Sequence, residues 1–199
     1  MRSPNRKSTP RVIQGRVQKK NNWTASPDYY TTSYAMPVVD RKRPGEGYRH
    51  LLKKRDIDDF LALLPDWPEL SKGLNAIVLA PGEYDMDGYH VPGVVHLCAW
   101  DRELWRELTA KHFEEHRDLF ARLGIPCEPI EDYYLCKFEE STARAYQLLH
   151  VLLHELGHHH DLMTTRSRRW ASRGESYAEQ YALQYEARIW EQYLKVFDL

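Results

Sequence analysis

The chain has 199 residues, 42% hydrophobic and 12% aromatic with six Trp and thirteen Tyr: enough apolar material for one packed domain, and too much for a wholly disordered chain. Its formal net charge of -1 hides an asymmetry, because residues 1–27 hold seven Lys or Arg and no acid, leaving 21 basic against 29 acidic side chains in the rest. The longest stretch without a formal charge, Gly88 to Trp100, is broken by Pro92 and Gly93 and falls short of the roughly 20 apolar residues of a membrane-spanning helix.

Residues 1–26 read as a basic, flexible tail without sustained apolar periodicity, and residues 27–199 as the folded domain. No apolar segment follows the basic start, so no secretory signal is expected. A loop-rich stretch runs to about Gly47 and carries Tyr29, Tyr30, Tyr34 and the Val38–Val39 pair. Asp56 to Leu64 is a short helix, acidic in its first turn and stopped by Pro65. Asn75 to Ala80, between Gly73 and Pro81–Gly82, is a buried strand. Tyr89 to Trp100 is a second strand region bent at Pro92–Gly93. Asp101 caps a helix to about Leu123, ended by Gly124 and Pro126. Tyr133 to Phe138 is a third strand.

Ser141 then caps a long helix to about Asp161, apolar around most of its circumference and therefore central in the domain. A basic connection follows with Arg166, Arg168, Arg169 and Arg173, read as a solvated loop. The last helix spans about Glu175 to Phe197, with Ala178, Tyr181, Ala182, Tyr185, Ile189 and Tyr193 along one stripe. The layout is an α+β domain with a small sheet packed on the buried helix. Cys98, Cys127 and Cys136 are odd in number and lack metal-like spacing, so reduced thiols in a cytoplasmic protein are expected rather than a disulfide framework.

Five of the ten histidines fall between positions 150 and 160. His154 and His158 stand four apart, so on a helix they project from one face and can bind one ion through neutral ring nitrogens. Glu155 lies beside the first of them, placed to reach an activated water without binding the ion itself. This is the HExxH arrangement of zinc metallopeptidases. Two histidines and a glutamate in an apolar helix are costly unless a shared cation satisfies them. His150 is one turn earlier on the same side, suited to a supporting or packing role. His159 and His160 are expected to cap the helix C-terminus. A third ligand is required. A further histidine six residues after His158 would be Thr164, so a carboxylate from the next helix must serve. Glu175 is favoured, because it shares a face with Ala178 and Ala182; Glu179, one turn on, is the competitor.

HELGH followed 17 residues later by ExxAExxA resembles the gluzincin branch of zinc metallopeptidases, and within it the ImmA/IrrE-type minimal zincins. The resemblance covers about 45 residues. It implies a zincin-like fold, a Zn2+ cofactor held by His154, His158 and Glu175, and Glu155 as general base. It further implies a peptide or protein substrate. Glu179 departs from the family's usual Asn or Asp. Tyr177 and Tyr181 are candidates to stabilise the oxyanion, and the substrate would lie along an exposed strand edge, either the Tyr89–Trp100 or the Tyr133–Phe138 strand. Two other readings stand beside this one: a zincin-fold binding or regulatory module with a structural metal, and a nucleic-acid-associated protein acting through the basic arm.

Overall fold

A computed structural model describes residues 27–165 and 173–198, together with the backbone of residues 11–13 and 16–18. The last two segments, β1 (Arg11–Ile13) and β2 (Arg16–Gln18), pair antiparallel as a small hairpin within the basic arm. The rest of the arm, and Arg166, Arg168 and Arg169 of the basic connection, lie outside the described residues.

The molecule is built on the buried runs AIVLA and VVHLC. They form β5 (Ala76–Ala80) and β7 (Val94–Cys98), each buried at all five positions. Such continuous apolar runs suit strands covered on both faces. Ile77, Leu79, Val95 and Leu97 face the helical side, while Ala76, Val78 and Val94 pack under Tyr29 on the other. β3 (Val38–Arg41) adds parallel to β5, β7 lies parallel on β5's other side, and β6 (Gly88–Val91) closes the sheet antiparallel to β7. The order is β3-β5-β7-β6, so β6 is an edge strand. The predicted bent strand over Tyr89–Trp100 is thus a hairpin, turning at Pro92–Gly93 with Gly93 at φ 81°.

Between β3 and β5 come β4 (Tyr48–Arg49), α1 (Lys54–Leu61) and the short α2 (Trp67–Leu70). The helix α1 begins two residues before the predicted start and ends three before the predicted end. β4 pairs with β8 (Trp100–Asp101). The helix predicted from Asp101 is corrected at its start. Residues Trp105–Thr109 are instead β9, and only Ala110–Arg122 form the helix α3, capped by Thr109, whose side chain accepts from the His112 N–H at 3.2 Å. Leu104 and Leu108 caused the misreading: residues four apart share a face in a strand as they do in a helix.

β10 (Cys127–Ile130) and β11 (Tyr133–Lys137) form a hairpin whose second strand also pairs with β9. The register sets Cys127 opposite Cys136, and their sulfurs are joined in a disulfide, which corrects the expectation of reduced thiols; Cys98 is free and buried. The long helix predicted from Ser141 runs as α4 (Glu140–Tyr146), a π-helical turn (Gln147–Leu152) and α5 (Leu153–Thr164). The buried Gln147 amide donates to the Cys98 carbonyl at 2.9 Å, tying that turn to the sheet. The final helix is α6 (Gly174–Phe197). The fold is α+β, and among the described residues no helix is long and apolar enough to cross a membrane.

Candidate metal centre

The helices α5 and α6 pack unusually closely because of the glycine within HELGH. A Cβ on Gly157 would lie 2.8 Å from the Ala178 Cα and 3.0 Å from the Ala178 carbonyl oxygen, so the two helices meet backbone to backbone at that point. Ala178 and Ala182 supply the small side of the contact, both fully buried. A second device fixes where α6 begins. Asp161, in the last turn of α5, accepts from the backbone N–H groups of Arg173 at 2.8 Å and Gly174 at 3.1 Å, and from the Arg173 guanidinium at 2.7 Å. Burial alone would raise the Asp161 pKa, but these donors reverse that and hold it below the ordinary carboxylate value. Asp161 therefore caps the helix whose first turn carries Glu175. The sequence reading passed over it.

With the helices so placed, three side chains converge. His154 Nε2 lies 3.1 Å from His158 Nε2 and 3.1 Å from Glu175 Oε2, and His158 Nε2 lies 3.4 Å from Glu175 Oε1. Zinc bonds of about 2.0–2.1 Å at tetrahedral angles set neighbouring donors about 3.3–3.4 Å apart, so these separations fit a single shared ion. Proton placement agrees. Glu179 Oε2 accepts from His154 Nδ1–H at 3.2 Å, which in a neutral ring leaves the Nε2 lone pair aimed at the carboxylate of Glu175. Two ring nitrogens and a carboxylate turned upon one another could hold a cation between them, and these three residues form a donor set suited to one. Of the two candidate third ligands, Glu175 reaches both Nε2 atoms. Glu179 instead orients His154 from behind, the carboxylate–histidine pairing that fixes a ligand's tautomer.

The cluster opens on a cleft of about 1300 Å³. One wall is β6 with the turn before it, from Asp85 to His90; α3 contributes His112, Glu115 and His116, and the floor includes His150, Val151 and Glu155. Glu155 is 7% exposed, and burial lifts its carboxyl pKa to about 7, against a smaller lowering by His154. Gly88 makes room for it: a Cβ there would come within 3.1 Å of the Glu155 side chain and 2.7 Å of Val151.

Other predicted residues are placed elsewhere. The Tyr177 hydroxyl shares a 2.6 Å hydrogen bond with His160 Nδ1, and Tyr181 is buried beside His160 and Tyr185. Neither tyrosine lines the cleft, so the oxyanion role expected of them is not supported by their positions. His159 donates from Nε2 to the Lys72 carbonyl at 3.0 Å, and α5 continues past both His159 and His160 to Thr164, so these two histidines do not cap it. His150 is buried 4.1 Å, ring centre to ring centre, from His116. The sequence reading missed His112 and His116 entirely. They reach the cleft from α3, some forty residues earlier, and no local spacing connects them to it.

The chain matches no protein-family model, no curated protein and no solved structure.

Proposed function

We propose that the protein is a zinc-dependent metallopeptidase of the minimal zincin type. The observation that carries this reading is the convergence of His154 Nε2, His158 Nε2 and Glu175 on one point at the edge of a cleft, with Glu155 beside them. Three protein donors facing an open cleft suit a catalytic ion; a structural zinc site is closed by four. Held there, a zinc-class ion would polarise a substrate carbonyl and lower the pKa of a water toward about 7.

The chain's own groups do the rest. Glu155 accepts the proton of the attacking water on its carboxylate and returns it to the leaving amine. Burial raises its pKa in the metal-free chain, the direction that favours taking up a proton. Glu179 keeps His154 in the tautomer that presents Nε2. The substrate backbone would add to β6. Of the two strand regions offered by the sequence, Tyr133–Phe138 became β11, paired on both sides by β10 and β9, whereas β6 is an edge strand lining the cleft.

The test is metal content and hydrolysis measured together. Wild-type protein should bind zinc and cleave unfolded protein substrates in a chelator-sensitive way. Glu155→Gln should keep the metal and lose hydrolysis by a factor on the order of 10²–10⁴, and His154→Ala should lose the metal of this centre. Full peptidase activity in Glu155→Gln would refute the mechanism.

A further inference from the structure

We propose that His116, His150 and Glu179 form a second divalent-metal site, separate from the His154–His158–Glu175 centre and suited to a first-row ion of the zinc class. The three residues come from three elements: α3, the π-helical turn and α6. One donor atom from each lies within 4.8 Å of the other two.

The argument rests on the proton count around His116. Its Nδ1–H donates to the His112 carbonyl at 2.7 Å; a carbonyl can only accept, so the proton is on Nδ1. In the neutral ring Nε2 then bears a lone pair. That atom faces Glu179 Oε1 at 3.2 Å. Both atoms are buried, and neither has a partner in hydrogen-bond geometry among the described residues. Two acceptors set against each other away from water are costly, and something positive must lie between them.

A proton on Nε2 is the competing occupant. It would make His116 a cation, a form that burial opposes but Glu179 and the His112 carbonyl favour, yet the approach is not aligned for an N–H···O bond, and it gives no role to the His150 ring nitrogen within 4.8 Å of both donors. A metal ion uses all three donors, and the 3.2 Å separation matches the spacing of neighbouring zinc ligands. Neutral imidazoles and a carboxylate are an ordinary donor set for such an ion. His116, His150 and Glu179 all line the main cleft, so an ion has a way in.

Glu179 links the two centres. Its Oε2 accepts from His154 Nδ1–H while its Oε1 belongs to the second site, so one carboxylate orients a ligand of the first ion and binds the second. The proposal does not rest on peptide hydrolysis and holds whether or not the first centre is catalytic.

The experiment is metal stoichiometry on the full chain, stripped with chelator, reloaded with excess Zn2+, dialysed and assayed by elemental analysis, with Co2+ titration followed by its visible absorption. Wild type should take two ions per chain, and His116→Ala and His158→Ala one each. His150→Ala provides a second removal should His116→Ala fail to fold, and the wild-type count depends on no variant. Saturation of wild type at one ion overturns the proposal, as do two ions retained by both His116→Ala and His150→Ala. If His158→Ala alone kept two ions, the first centre would be misassigned while the second stood.

Discussion

The Glu155 carboxyl is kept in surroundings that oppose its charge, and the consequence can be measured without any catalysis. Burial raises its pKa from 4.5 to about 7 in the folded chain. Below pH 4.5 it is protonated whether the chain is folded or not, and folding is indifferent to it. Between pH 4.5 and 7 the unfolded chain ionises it and the folded chain does not, so stability falls as pH rises and then levels off. The loss is on the order of 3 kcal/mol. Glu155→Gln has no charge to bury. Metal-stripped Glu155→Gln should therefore melt above metal-stripped wild type at pH 8, and the advantage should vanish at pH 4.5. Identical melting at pH 8 would mean that Glu155 is not desolvated as its place in the cleft floor indicates. A functional carboxylate held at the expense of stability is the pattern expected where a group is tuned for proton transfer.

At the scale of elements, the site depends on how closely α6 lies against α5. Gly157→Ala makes this testable because two effects oppose each other. Alanine improves helix propensity by about 1 kcal/mol over glycine. Yet its Cβ would meet the Ala178 backbone at 2.8 Å, and backbone cannot rotate away as a flexible side chain can. Overpacking of this kind costs about 1–3 kcal/mol, so a net destabilisation is expected. Because Glu175 is carried by the displaced helix, zinc affinity should fall with it; thermal melts and competition with a chelating dye check both. A stabilised Gly157→Ala variant with unchanged affinity would show that the contact is slack. This contact also marks what could be read from the chain alone. HELGH and ExxA were legible because the i, i+4 rule and small residues at helical spacing act within a single helix, and they anticipated that His154, His158 and Glu175 would face one another across two close helices. The Cys127–Cys136 pairing depends on hairpin register, and His116 on the docking of α3 beside α6; both are tertiary outcomes with no local signature. β9 was misread for a third reason: strand and helix periods coincide at a separation of four.

Across the whole molecule, the proposed centre joins the end of the buried central helix to the start of the last one, and Asp161 makes the same junction through Arg173 and Gly174. On the α3 side, Arg122 pairs with Glu186, a buried carboxylate of α6, so the last helix is tied to the body well beyond its first turn. The unfolded chain offers no preformed arrangement of His154, His158 and Glu175, so metal affinity for the native state adds directly to stability. At a free ion concentration 1,000 times the dissociation constant the gain is about 4 kcal/mol. For a chain of this size each kcal/mol moves the melting temperature by about 2–4 °C. Chelation should thus lower the melting temperature of wild type by roughly 10 °C, reversed by added Zn2+. His158→Ala should already melt lower in zinc and lose less on chelation, because the ion joining α5 to α6 is no longer held. An equal fall in wild type and His158→Ala would place the metal-dependent stability outside the α5–α6 junction, and the HELGH histidines would then be no more than neighbours on one face of a helix.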